Sequence, residues 1–263
     1  MHYQQPIITN GSPKMPLPDH LKLNQVFCGN CVDLMDMLPD EYIDLTVTSP
    51  PYDNLRKYKG YEFDFEAIAN QLWRITAKGG IVVWVVADAT INGSETGRSF
   101  RQALRFKEMG FNLHDTMLYE AEGTGAKGSI YSYWQALEYM FVLSKGRPKS
   151  INLIEDVNNK TAGLLSGGGR YREGGSKEKP HATKLKGRRT NIWRYKVGFM
   201  DRSDKTGHPA PFPEQLAQDH IISWSNPGDI VLDPMCGSGT TLKMAMLTGR
   251  KYIGFDISEN TVK

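Results

Sequence analysis

Five short runs of aliphatic and β-branched residues punctuate the chain: IDLTVTS (43–49), GIVVWVVAD (80–88), LEYMFVLS (137–144), DIVLDP (229–234) and KYIGFDI (251–257). Short runs of this kind, alternating with helical patterns, are the signature of a mostly parallel sheet covered on both faces. Between them lie FEAIANQLWRIT (65–76), GRSFRQALRFKEMG (97–110), PEQLAQDHIISWS (213–225) and TTLKMAMLTG (240–249). Apolar residues recur there every three to four positions, the period of amphipathic helices that pack on a sheet. Gly79 and Gly80 read as the C-cap of the first helix. The expectation is an α/β fold with helices on both faces of the sheet.

A chain of 263 residues suits one large domain, or one domain carrying an insertion. Its 40% hydrophobic and 23% charged residues are ordinary for a globular protein and argue against disorder throughout. No apolar run reaches bilayer-spanning length, and residues 1–20 lack a basic-then-apolar leader. We therefore expect a flexible N-terminal arm over 1–20, no membrane partner and a cytoplasmic location. Cys28 and Cys31 stand as CGNC, a spacing that suits a redox pair or half a zinc site. With Cys236 the only other cysteine and no second ligand pair at usable spacing, structural thiols without metal are expected. The net charge of +3 is too small to imply nucleic acid, but its distribution is uneven. From Lys145 to Gly207 there are 16 Lys and Arg against 6 Asp and Glu, whereas the rest of the chain carries 16 against 23. Residues 146–206 also hold five glycines within 167–175 and few aliphatics, so they read as an insertion outside the core.

Two stretches carry chemistry. TSPPY follows the run at 43–49, and Pro50 and Pro51 end the ladder and hold a stiff, extended turn. Open α/β sheets place ligands at the carboxyl ends of their strands, which makes Ser49 and Tyr52 site candidates. The second stretch is DPMCGSGTT (233–241), where a strand runs through a Gly-x-Gly turn into a helix, so that Gly237 and Gly239 allow close approach of a ligand. Asp256 ends the next strand, twenty-three residues after Asp233, and is placed to accept from both ribose hydroxyls of a nucleoside. The turn lacks both GxGxxG and GxxxxGK[ST], so a nucleoside without phosphates fits better than a dinucleotide or a nucleoside triphosphate, and S-adenosylmethionine is the natural choice.

DPMCGSGTT followed by GFDIS, together with TSPPY, resembles the S-adenosylmethionine-dependent DNA methyltransferases that make N4-methylcytosine or N6-methyladenine. GNCVDLMDMLPDEYIDLTVTSPPY (29–52) looks like the opening segment of that family's permuted members, and HPAPFPEQL (208–216) is similar to its motif beside the methionine end of the cofactor. The order, catalytic motif, basic region and then cofactor loop, is that of the beta group. The resemblance implies a Rossmann-like, circularly permuted methyltransferase fold, with a catalytic half at 21–145, a target-recognition insertion at 146–206 and a cofactor half at 207–263. This chain departs from the pattern in having Gly29-Asn30 where Gly-Asp is usual. Ser49 heads the catalytic tetrapeptide where adenine enzymes commonly have Asp, which leans towards cytosine N4 with adenine N6 as the alternative.

Catalysis then falls to Ser49, Pro50, Pro51 and Tyr52. Cofactor binding falls to Asn30, Ser49, His208, Phe212, Asp233, Cys236, Gly237, Gly239, Thr240 and Asp256. Arg170, Arg172, Arg188 and Arg189 are the candidates for contact with DNA. Trp193 in NIWRY (191–195) reads instead as a structural anchor where the basic segment returns to the core. The partner implied is double-stranded DNA, with the family also leaving room for a homodimer and a separately acting restriction endonuclease. A catalytically inactive DNA-binding module is the rival of another class.

Overall fold

The computed structural model describes residues 14–19, 21–51, 63–122, 127–129, 132–166, 181–196 and 213–258. The first half contributes β1 (Gln25–Cys28), α1 (Cys31–Asp36), β2 (Ile43–Thr48), α2 (Phe65–Ile75), β3 (Thr76–Val86), β4 (Thr90–Ile91), β5 (Ser94–Glu95), α3 (Arg98–Glu108), β6 (Asn112–Glu122), β7 (Lys127–Ser129), β8 (Ser132–Gln135) and β9 (Leu137–Ser144). Four two-residue strands follow, β10 (Val157–Asn158), β11 (Leu165–Ser166), β12 (His181–Ala182) and β13 (Lys186–Gly187), then β14 (Ile192–Lys196), α4 (Glu214–Trp224), β15 (Ile230–Asp233), α5 (Thr240–Leu247) and β16 (Lys251–Asp256).

Eight strands form the central sheet in the order β1-β16-β15-β2-β3-β9-β6-β14. Every neighbouring pair is parallel except those made by β9, which runs antiparallel to both β3 and β6. β2, at the centre, is buried at all six positions although its sequence, IDLTVT, alternates apolar with polar residues, and buried Asp44 and Thr48 are hydrogen-bonded there. The two faces of β3 show the period of two directly. Val82, Trp84 and Val86 join Leu72, Phe106, Leu232 and Phe255 in one core, whereas Ile81, Val83 and Val85 join Leu216, Ile221, Trp224 and Met244 in the other. Helices α2 and α3 thus cover one face, and α4 and α5 the other.

The five expected strands and four expected helices all form, with ends shifted by a few residues. The glycine cap of α2 does not. Thr76 ends α2 and begins β3 at once, and Gly79 lies inside the strand with φ of 75°, where a Cβ would stand 2.9 Å from the carbonyl oxygen of Arg147. Close backbone approach, rather than helix termination, explains that glycine. The basic segment 146–206 is also less separate than its composition suggests, because β14 lies within it and adds an edge strand beside β6, with Trp193 buried. At the foot of β2, buried Asp44 accepts from the Lys14 and Lys149 ammonium groups at 2.5 Å each and from the Ile230 amide at 2.8 Å. This carboxylate binds the start of the described chain, the sheet and the start of the basic segment together. No helix among the described residues is long and apolar enough to cross a membrane.

Candidate functional site

Because β1, β16, β15 and β2 are parallel, their carboxyl ends share one edge of the sheet, and the two sequence stretches meet there. The Thr48 hydroxyl, the last side chain of β2, donates to Asp233 Oδ1 at 2.8 Å. In the first turn of α5, the Thr241 hydroxyl donates to the Val47 carbonyl at 3.2 Å. These two bonds fasten the strand that leads into Ser49-Pro50-Pro51 to the strand and helix on either side of the glycine turn. Pro50 is buried, and Ser49 and Pro51 are half-buried.

The turn itself is held from β16. The Gly237 amide donates to Asp256 Oδ2 at 2.9 Å, the Ser258 amide donates to Asp256 Oδ1 at 2.8 Å, and the Cys236 amide donates to the Phe255 carbonyl at 2.8 Å. Gly237 and Gly239 have φ of 47° and 80°, in the left-handed region that a side chain resists. A Cβ at Gly239 would meet nothing within 4 Å, so the turn is open on that side. Gly239, whose amide donates to the Cys236 carbonyl at 2.7 Å, precedes Thr240, the first residue of α5, and the amides of that first helical turn have no partner within the helix. β1 ends beside this arrangement, with Cys28 paired to Asp256 and the Gly29 amide donating to the Asp256 carbonyl at 2.9 Å.

Two expected cofactor contacts have other work. Asp233 is fully buried and accepts from Thr48 and from the Met235 amide, so it fastens β2 to β15 instead of facing a ligand. Burial pushes its carboxyl up to about 6, against the lowering effect of those hydrogen bonds. The Asn30 amide oxygen accepts from the Val32 amide at 2.8 Å as the N-cap of α1. Burial also pushes the Cys236 thiol up, and that of Cys31 up to about 11, which disfavours the thiolate needed for redox or nucleophilic chemistry. Among the described residues no cluster of His, Cys, Asp and Glu has the makings of a metal site.

Arg189 is a correction. Its Nε donates to both carboxylate oxygens of Asp156 at 2.9 Å, its Nη2 to Asp156 Oδ2 at 2.5 Å and its Nη1 to buried Asp219 at 2.5 Å, and the guanidinium lies 5.6 Å over the Trp193 ring. Tyr195 and Gln215 also donate to Asp219, at 2.8 and 2.6 Å. A guanidinium so engaged anchors the basic segment to α4 and is not available to a phosphate or a base. Arg188, with 67% of its side chain exposed and Glu155 at 3.4 Å, remains available. Tyr52, Arg170, Arg172, His208 and Phe212 lie outside the described residues.

Three residues that position the site were not singled out from sequence. Thr48 and Thr241 supply the cross-links, and Gly254 lets α5 approach β16, since a Cβ there would fall 2.2 Å from Leu242 Cδ1. The signal for Gly254 was present in YIGFD, a lone glycine inside a strand pattern. A groove of about 250 Å³ runs along α5 past the glycine turn, lined by Val26, Leu242, Met246 and Tyr252 among others, and it includes neither Ser49 nor Asp256.

Comparison with known proteins gives the same picture. A family model described as DNA methylase matches residues 43–263. The orphan methyltransferase M.BamHII of Bacillus amyloliquefaciens is 55% identical over 234 residues, covering 86% of this chain and 88% of that protein. The DNA adenine methyltransferase YhdJ of Escherichia coli (strain K12) is 26% identical, covering 89% of this chain and 79% of that protein. Among solved structures, the cytosine-N4-specific PvuII DNA methyltransferase superposes with a TM-score of 0.66 at 21% identity, covering 90% of this chain and 83% of that one. The complex of M1.HpyAVI with SAM gives 0.59 at 20% identity, covering 90% and 96%.

Proposed function

Since this chain belongs to the DNA methylase family, we propose that it transfers a methyl group from S-adenosylmethionine to the N4 amino group of a cytosine flipped out of duplex DNA. The observation that carries this reading is the Thr48–Asp233 hydrogen bond, which fastens the Ser49-Pro50-Pro51 turn beside the glycine turn. A methyl donor in one and an amino acceptor in the other are thereby neighbours.

The residues present suit this cofactor. The turn is open to it at Gly239, Asp256 offers carboxylate oxygens to ribose hydroxyls, and the turn carries no Lys or Ser/Thr of a phosphate loop at the P-loop spacing. Asn30, Cys236 and Thr240 lie around the same turn, and His208 and Phe212 complete the set from sequence. When bound, S-adenosylmethionine supplies an electrophilic methyl group on a sulfonium. The chain's own task is to sharpen a poor nucleophile, because an exocyclic amino lone pair is delocalised into the base. The Ser49 hydroxyl and the Pro50 carbonyl accept from the two amino N–H bonds, which favours a tetrahedral nitrogen and stabilises the positive charge that develops there. Pro51 keeps that carbonyl fixed, and Tyr52 stacks on the base. Stacking of roughly 1–3 kcal/mol helps offset the few kcal/mol needed to take a base out of the duplex.

Ser49 supports cytosine as the target and N6 of adenine as the second choice. Arg170, Arg172 and Arg188 hold the DNA, and Arg189 orients their segment. The bacterial sources of the relatives support a cytoplasmic site of action. A homodimer and a separate cognate endonuclease belong to the proposal only through the family, and the name of the 55% identical relative, an orphan methyltransferase, favours action without a nuclease. Transfer of labelled methyl groups to unmethylated DNA by Ser49→Ala and Tyr52→Ala variants tests the site. Both should lose most activity, with Tyr52→Ala binding S-adenosylmethionine within about twofold of the parent, and near-normal turnover by either would remove that residue from the site.

A further inference from the structure

Two β-hairpins leave the sheet at the same end as Ser49. β3 is parallel to β2, and β6 is parallel to β3 through the antiparallel β9 between them. The β6–β9 connection therefore emerges where β2 and β3 finish. β7 and β8 pair as a hairpin within this connection, and at its root the Ala121 amide donates to the Ala136 carbonyl at 3.2 Å. The second hairpin, β4 and β5, follows β3 and turns tightly through Asn92 and Gly93, with φ of 52° and 80°. Gln135, at the base of the first, donates to Glu95 of the second at 3.0 Å. The second is secured in turn by Asp88, which accepts from the Thr96 hydroxyl at 2.9 Å and the Ser99 amide at 3.1 Å.

This tethered pair presents two apolar side chains to solvent, Ile91 at 55% exposure and Tyr133 at 96%. Single exposed apolar residues are common and need no explanation by themselves. Here the location supplies one. β9 is two strand spacings from β2, about 10 Å, which matches about three stacked base pairs. A duplex that delivers a base to Ser49 passes over this end of the sheet.

We propose that Tyr133 contacts the bases of duplex DNA beside the flipped nucleotide, with Ile91 against the same groove, as a DNA-binding element separate from the basic segment. The proposal rests on the chain's being a DNA methyltransferase. The contact made by Tyr133 is with bases and not with phosphates, because it brings a neutral aromatic ring, whereas the guanidinium of Arg101 beside the second hairpin donates to the Thr96 carbonyl at 2.7 Å. An aromatic ring gains from stacking on any base, and a neutral side chain adds nothing to the release of counterions from the backbone.

The test measures DNA affinity across a salt series, and methyl transfer, for the full chain and its Tyr133→Ala and Tyr133→Phe variants on unmethylated duplex. Tyr133→Ala should lose about tenfold or more in DNA affinity. Its binding should keep the parent's dependence on salt, and Tyr133→Phe should stay within about twofold of the parent. Thermal unfolding and S-adenosylmethionine affinity should be unchanged in both. Unchanged DNA affinity in Tyr133→Ala overturns the proposal, as does a shallower salt dependence or a Phe variant as weak as the Ala variant. If the parent protein itself transfers no methyl group to DNA, the functional reading fails first and this inference falls with it.

Discussion

Asp256 and Asp233 are both acidic residues at strand ends, and their surroundings give them opposite tasks. Asp256 is half-buried and holds the glycine turn from one side while its oxygens keep further capacity to accept. Asp256→Ala should weaken S-adenosylmethionine binding about tenfold or more, the usual worth of hydrogen bonds to a charged group, and calorimetry would show it. Unchanged affinity would take Asp256 out of the cofactor site. Asp233 is sealed in, and burial raises its carboxyl from 3.8 to about 6. A raised carboxyl binds its proton more tightly in the folded state, so its contribution to stability is fully present below about pH 4 and is lost as pH rises through about 6. Asp233→Asn should therefore gain stability relative to the parent between pH 4 and 7, by at most about 3 kcal/mol. A difference that stays flat with pH in denaturant titrations would contradict this.

The joint between α5 and β16 depends on Gly254, which is set among Leu242 Cδ1 and Cys236 Sγ. Gly254→Ala should destabilise by about 1–3 kcal/mol and weaken cofactor binding by displacing residues 236–239. Adding Leu242→Ala should recover part of the loss, since the two changes share one contact. In the basic segment, neighbouring arginines divide the work. Arg189→Ala should cost about 2 kcal/mol by leaving Asp219 buried with fewer partners. Arg188→Ala should leave stability alone and make the salt dependence of DNA binding shallower by about one ion. From sequence these arginines looked alike, because the carboxylates that claim Arg189 lie about thirty residues away on either side. The central strands and their helices were legible because they are apolar with clear periods. β6, whose exposed and buried positions mix, and the two-residue strands between β9 and β14 were not, since each is defined by a partner distant in sequence.

In the whole molecule, Asp44 lies at the foot of the sheet and the site at the opposite end. Burial alone would raise the Asp44 carboxyl, but Lys14 and Lys149 outweigh it and hold it below its ordinary value. Such a depressed acid stabilises above its unfolded value near pH 4 and loses that contribution on acidification. Asp44→Ala should cost about 3 kcal/mol by removing the carboxylate that Lys14 and Lys149 share, leaving them the Tyr42 carbonyl and Asp229, without changing affinity for S-adenosylmethionine. The site was legible in sequence as two linked motifs, and the fold explains the link, since parallel strands bring 48 and 233 to one edge. The decisive experiment is to incubate the protein with unmethylated genomic DNA and S-adenosylmethionine, digest the DNA and identify the modified nucleoside by mass spectrometry. N4-methylcytosine is the expected product. N6-methyladenine would contradict the choice of base drawn from Ser49, and the absence of any methylated nucleoside would contradict the assignment of this site to methyl transfer on DNA.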